Sequence, residues 1–205
     1  MSIQYILELL GTVVFAMSGA LAASERDKEQ DWFGAAFTGF VTAIGGGSLR
    51  DIMLGSYPLV WIQDTMVLYV IIASVVCCGL FYRVLLRLRR TFLLFDTLGI
   101  SLFTIVGTEK ALSLGVSPII AAIMGMFSAV MGGAIRDILT NEVPVLLRKE
   151  FYASACILGA TFYLGLEYLQ VDRNTNFIAS VLLIMTIRLI AIKYNLSLPK
   201  FYRLH

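Results

Sequence analysis

An all-α integral membrane protein is expected from this chain, with seven transmembrane helices arranged as a 3+3 inverted repeat plus one extra helix. Three observations carry this. Of 205 residues, 59% are hydrophobic and only 15% charged, against roughly 25% charged in soluble domains, and the mean hydropathy is +0.84. Apolar runs of roughly 20 residues, the length that crosses about 30 Å of hydrocarbon, fall at about 4–24, 31–55, 58–82, 92–113, 117–140, 147–169 and 175–195. Finally, Gly45 to Pro58 (GGGSLRDIMLGSYP) and Met131 to Pro144 (MGGAIRDILTNEVP) say nearly the same thing.

The first span ends in Leu21-Ala22-Ala23-Ser24, like a signal-peptide cleavage site, but Met1 to Tyr5 carries no Lys or Arg and Glu8 is acidic. A secretory signal starts positively charged, so this is a permanent helix. The second span holds the first glycine motif. The third carries Cys77 and Cys78 and leads into Arg83, Arg87, Arg89 and Arg90, a cluster that fixes topology against anionic headgroups. The fourth ends with Glu109 and Lys110, the fifth holds the second glycine motif, the sixth contains Cys156 and the seventh Arg188. Thiols inside spans behave as small apolar side chains.

Connections this short leave one transmembrane domain over 1–205, with repeat one at about 4–83, repeat two at about 91–169 and the extra helix at about 174–195. Lys and Arg gather around 25–31, 83–91, 136–149 and the C-terminal tail. The positive-inside rule then puts the N-terminus outside and the C-terminus in the cytoplasm.

Sliding the chain on itself by 86 residues aligns Gly39 with Gly125, Gly46 with Gly132, Gly47 with Gly133, Arg50 with Arg136, Asp51 with Asp137 and Pro58 with Pro144. In the first span of each half a shift of 88 matches Glu8 with Asp96, Gly11 with Gly99, Phe15 with Phe103 and Gly19 with Gly107. Three helices per half force the second copy into the bilayer upside down. Such folds place their site near the midplane, between discontinuous helices from the two halves.

Gly45, Gly46 and Gly47, and their counterparts Gly132 and Gly133, lie deep in the second and fifth spans. Glycine in a helix interior is about 1 kcal/mol worse than alanine. Two readings follow: the glycines break both helices, or they let backbones pack closely. The adjacent Arg-Asp pairs are poorly explained by packing, so breaks are expected. Broken helices would free carbonyls near Gly45 and Met131, with the hydroxyls of Thr42 and Ser128 beside them. Half a negative charge at each helix C-terminus favours a cation. Oxygen-only ligation suits K⁺ or Na⁺ rather than a transition metal, and no cofactor is expected.

Arg50, Asp51, Arg136 and Asp137 follow a turn later. An unpaired charge at that depth costs at least about 2.5 kcal/mol, so they should be paired. Residues at i and i+1 diverge around a helix, which directs each Arg to another helix, with Asp64 and Glu150 as candidate acids. Whether the pairing is structural or gates a path stays open at this stage. Glu109 and Lys110 have no charged counterparts, since Leu21 and Ala22 stand at the aligned positions. Lys110 either snorkels to the interface or senses the membrane field.

With GGGSLRD at Gly45–Asp51 and GGAIRD at Gly132–Asp137 inside a 3+3+1 plan, the chain resembles the bacterial branch of the TRIC (trimeric intracellular cation) channel superfamily, a small family also described as glycine transporters. The resemblance covers nearly the whole chain. It implies a homotrimer in a bacterial inner membrane, each protomer with its own pore for monovalent cations, gated near the glycines of the second and fifth spans, and a sensing role for the fourth. A carrier of glycine or a similar small zwitterion is the second reading, with Arg50 or Arg136 assisting a carboxylate. An enzyme is not expected: His205 is the sole histidine and no nucleophile has a candidate base. Nor is nucleic acid a partner, for the net charge is only +2; the bilayer is.

Overall fold

Carboxylates start several of the helices and glycines end two of them. The computed structural model describes residues 3–26, 31–87, 91–147 and 151–196. Helix α1 spans Ile3–Arg26 and α2 spans Trp32–Met53, begun by the Asp31 carboxylate, which accepts from Gly34 N at 2.8 Å. Chain reversal after α2 uses Gly55, at φ +66°, a conformation open to a residue without Cβ. A short α3, Val60–Gln63, leads to α4, Thr65–Leu80, capped by Asp64, and then to α5, Tyr82–Arg87. Helix α6 spans Thr91–Ser113 and turns at Gly115 into α7, Pro118–Leu139, with proline in its first turn. A 3₁₀ turn at Val145–Leu147 precedes α8, Ala153–Tyr168, and α9, Arg173–Tyr194, which Asp172 caps. The helices of the expected third and sixth spans are shorter than drawn: α4 begins only at Thr65, after the short α3, and α8 begins at Ala153.

Helices α1, α2, α7 and α6 pack as a central ring in that order; α4 leans on α1 and α2, α8 on α7 and α6, and α9 on α8 and α6. Large apolar side chains such as Phe33, Tyr69, Ile72, Leu80, Ile119 and Ile178 face outward, while Arg50, Asp51, Asp96, Arg136, Asp137 and Arg188 are buried. This inside-out distribution is that of a protein solvated by lipid. Three helices, Tyr5–Ser24, Pro118–Leu139 and Arg173–Tyr194, are individually long and apolar enough to cross a membrane, and Thr65–Leu80 is a shorter apolar helix. In α2 the glycines dilute the hydropathy. In α6 the charged Asp96, Glu109 and Lys110 do so, while Ser101, Thr104 and Thr108 return their hydroxyls to carbonyls four residues back.

Helices α2 and α7 run unbroken through their glycines. The expected interruptions are absent, and the carbonyls of Gly45 and Met131 lie inside continuous helices, within the helical ladder. The reason is the packing of the two helices on each other. A Cβ on Gly46 would stand 1.9 Å from the Ser128 carbonyl oxygen, and one on Gly132 would stand 2.5 Å from that of Thr42. Only residues without side chains allow that approach, and the contact between the helices offsets the weak helix propensity of glycine.

These contacts are reciprocal, since Gly46 and Thr42 are the 86-residue counterparts of Gly132 and Ser128. The same holds at Gly39, whose Cβ would meet the Ala16 carbonyl at 2.8 Å, and Gly125, whose Cβ would meet that of Thr104 at 2.4 Å. Phe15 and its counterpart Phe103 stack on each other, centroids 5.1 Å apart. Mutual contacts between equivalent residues mark an approximate two-fold axis through the α2–α7 seam.

Candidate ion site

The last turns of α2 and α7 each bring an Arg-Asp pair to the centre, and the two pairs are completed differently. On α7, Arg136 Nε and Nη2 donate to Asp137 Oδ1 at 3.1 and 3.0 Å, and Nη1 donates to Asp96 Oδ1 of α6 at 2.7 Å and to Ser18 Oγ of α1 at 2.8 Å. The Tyr152 hydroxyl reaches the same Asp96 oxygen at 3.2 Å, and Asp137 Oδ2 accepts from Val145 N at 2.9 Å. Arg136, Asp96, Asp137 and Tyr152 are each at most 1% exposed. One guanidinium lies between two carboxylates, with neutral donors on Asp96 Oδ1 and Asp137 Oδ2, which offsets much of the cost of burying the charges; Asp96 Oδ2 alone is buried without a partner.

On α2, Arg50 Nε and Nη2 donate to Asp51 Oδ1, each at 2.8 Å, and Lys110 Nζ of α6 donates to Asp51 Oδ2 at 2.9 Å. Lys110 enters from a side that is 22% exposed. Arg50 Nη1 is buried with no hydrogen-bond partner, as are Ser48 Oγ and Trp61 Nε1. All three residues line one cavity of about 30 Å³, together with Glu8, Thr12, Gly47, Asp51 and Phe103. Its size suits a water molecule or two, or one small ion, and its wall combines stranded donors with carboxylates.

Against the sequence expectations, each Arg binds the Asp beside it. Only Arg136 also reaches an acid on another helix. Asp64 caps α4 and accepts from the Tyr5 hydroxyl; Glu150 lies outside the described residues. Glu109 accepts from Arg173 Nη2 at 2.9 Å and from the Tyr163 hydroxyl at 2.7 Å, which makes it a tie between α6, α8 and α9, away from Lys110's partner. Arg188 donates to the Phe151 carbonyl and stacks on the Tyr152 ring at 4.6 Å.

Thr42 returns its hydroxyl to the Thr38 carbonyl at 2.6 Å, and Ser128 Oγ is buried without a partner. Gly47 and Gly133 stand at the edges of the two Arg sites, where an added Cβ would lie 3.8 Å from Arg50 Nη2 and 3.5 Å from Arg136 Nη2. Among the described residues no cluster of His, Cys, Asp and Glu could hold a metal ion. Sequence reasoning did not single out Glu8, Asp96, Trp61, Ser18 or Tyr152 as site residues. The alignment of Glu8 with Asp96, an acid kept at one depth in both halves, was the signal available for the first two.

The model of the glycine transporter family matches residues 5–83 and 93–168, most of both halves. The chain belongs to that family, within the TRIC superfamily. A UPF0126 membrane protein of Vibrio cholerae is 41% identical over 98% of this chain and 83% of its own. The UPF0126 inner membrane protein YadS of Escherichia coli is 37% identical over 96% and 95%. The TRIC trimeric intracellular cation channel orthologue from Rhodobacter sphaeroides superimposes with a TM-score of 0.89 at 33% identity, covering 96% of this chain and all of that one. This TRIC member is thus an all-helical membrane protein of a transport family.

Proposed function

We propose that this TRIC member is a monovalent cation channel, permeable to K⁺, with a path in each protomer and assembly as a homotrimer in the bacterial inner membrane. The single observation that carries the reading is the cavity beside α2, lined by Glu8, Arg50 and Asp51, with Lys110 Nζ bridged to Asp51 from a partly exposed side. Ionised groups at such depth mark ion pathways. The structural likeness to TRIC cation channels supports it. All seven long helices cross the bilayer in this reading, the three-helix halves inverted, with the N-terminus outside and the C-terminus in the cytoplasm.

The path follows the carboxylates rather than carbonyls exposed at helix breaks. Lys110 Nζ sits on Asp51 where an incoming cation would bind, so a permeant ion must displace a tethered one, and the membrane field acting on Lys110 biases that exchange. The α2–α7 seam at Gly45–Gly47 and Gly132–Gly133, with Thr42 and Ser128 on either side, is the closed gate, while Arg136 and Asp137 anchor the second half. A glycine carrier is disfavoured by size, for a cavity of about 30 Å³ takes a water or two rather than an amino acid. Purified protein in planar bilayers under a K⁺ gradient tests the reading. Conductance reversing near the K⁺ equilibrium potential is expected; saturable exchange that requires glycine on the opposite side would overturn it.

A further inference from the structure

Among the differences between the two halves is one ion pair. In the second half the α6 acid, Asp96, bridges to Arg136 at 2.7 Å. In the first half the matching α1 acid, Glu8, lines the same cavity as Arg50 yet is not bridged to it, and Arg50 Nη1 is buried without a partner. Glu8 is half-buried, and its own backbone carbonyl is taken by Thr12 Oγ1 at 2.9 Å. Arg50, Ser48 and Trp61, each with a buried unpartnered donor, line the same cavity as Glu8, and Glu8 is one methylene longer than the residue that makes the bridge in the other half.

We propose that Glu8 is a proton-sensitive latch: when ionised it swings into the cavity and accepts from Arg50 Nη1, giving Arg50 the two-carboxylate shell that Arg136 has; when protonated it withdraws and leaves the cavity to water. The arrangement seen here is the unlatched one. The charged and titratable groups around Glu8 are Tyr5 on its own helix, Arg50 and Asp51 on α2, Asp64 at the head of α4 and Lys110 on α6; α3 contributes Trp61. Two cations and two other carboxylates leave the Arg50 bond as the strongest attraction open to an ionised Glu8, because Asp51 already holds Lys110 and shares only one oxygen with Arg50. Latching fills the cavity with a side chain, so in the channel reading, on which the flux arm rests, it obstructs the path.

Two measurements separate the latch from the channel. In a Trp32→Phe background, Trp61 is the only remaining tryptophan, and it lines the same cavity as Glu8. Its emission should change as pH is lowered from neutral, and the change should vanish in Glu8→Gln and persist in Glu8→Asp. In proteoliposomes, K⁺ flux should rise roughly five-fold or more on acidification, while Glu8→Gln should be fast and insensitive to pH. Trp61 emission that does not respond to pH, or responds identically in Glu8→Gln, overturns the latch whatever the flux. A pH-dependent Trp61 signal without any K⁺ flux keeps the latch and overturns the channel. Lower flux in Glu8→Gln at every pH overturns the latch and makes Glu8 an attractor of cations instead.

Discussion

Arg50 and Arg136 occupy equivalent places in two copies of one three-helix unit, yet one is sealed and the other is not. Arg136 sits between Asp96 and Asp137, with Ser18 and Tyr152 closing the shell. Arg50 has one carboxylate, shares it with Lys110, and turns a free nitrogen toward a cavity. A duplicated helix with the same Gly-Arg-Asp motif can therefore be a fixed strut in one half and a movable element in the other. What decides between them is the set of residues opposite: Ser18 has Val106 as its counterpart, Tyr152 has Met66, and Ala22 has Lys110. In the proposed reading, stability belongs to the second site and ion handling to the first.

The strongest way to break this contrast is Arg136→Met, which strands Asp96 and Asp137 in the core. It should cost about 3–5 kcal/mol, seen as loss of folded protein or a collapse of thermal stability in detergent. If it were milder than the same change at Arg50, the division of roles would fail. Arg50→Met should cost only about 1–2 kcal/mol, because Asp51 retains Lys110, while changing K⁺ conductance by more than its stability loss explains.

The seam common to both halves gives an intermediate test. Gly46→Ala should destabilise by about 3 kcal/mol, since its Cβ would overlap the Ser128 carbonyl, whereas Gly47→Ala, with 3.8 Å to its nearest neighbour, should be neutral or better by helix propensity. Thermal melts of the two variants side by side check it, and equal effects would mean the seam opens in the working protein. Lys110→Met should shift thermal stability by less than about 1 kcal/mol, because its side chain is partly exposed, yet alter the voltage dependence of conductance in bilayers. The smallest effect is expected at the paired glycines Gly79 and Gly165. The Trp32 ring lies 2.2 Å from a Cβ built on the first, and nothing lies within 4 Å of one on the second. Gly165→Ala should therefore stabilise by up to about 1 kcal/mol, and Gly79→Ala should not.

The membrane class, the all-helical class and the internal duplication were legible in the chain, because hydropathy and repetition are written along the sequence. The Gly-Arg-Asp motifs also stood out in the sequence, and the structure places them at the α2–α7 seam and in two buried ion pairs. The fate of the glycines was not legible. A Gly-Gly pair weakens a helix by its own propensity and also lets another helix touch it, and which effect wins depends on whether a partner arrives. Here α2 and α7 meet at Gly46 and Gly132, so both helices run straight through. The partners of Arg136 come from positions 40 and 118 residues away as well as from its neighbour, distances at which no local pattern selects a contact. Sequence by itself set what is buried in lipid and what is repeated, since those follow from local composition. Tertiary structure alone decided which copy closes and which keeps a cavity, since that depends on the side chains that different helices bring to the same point in space.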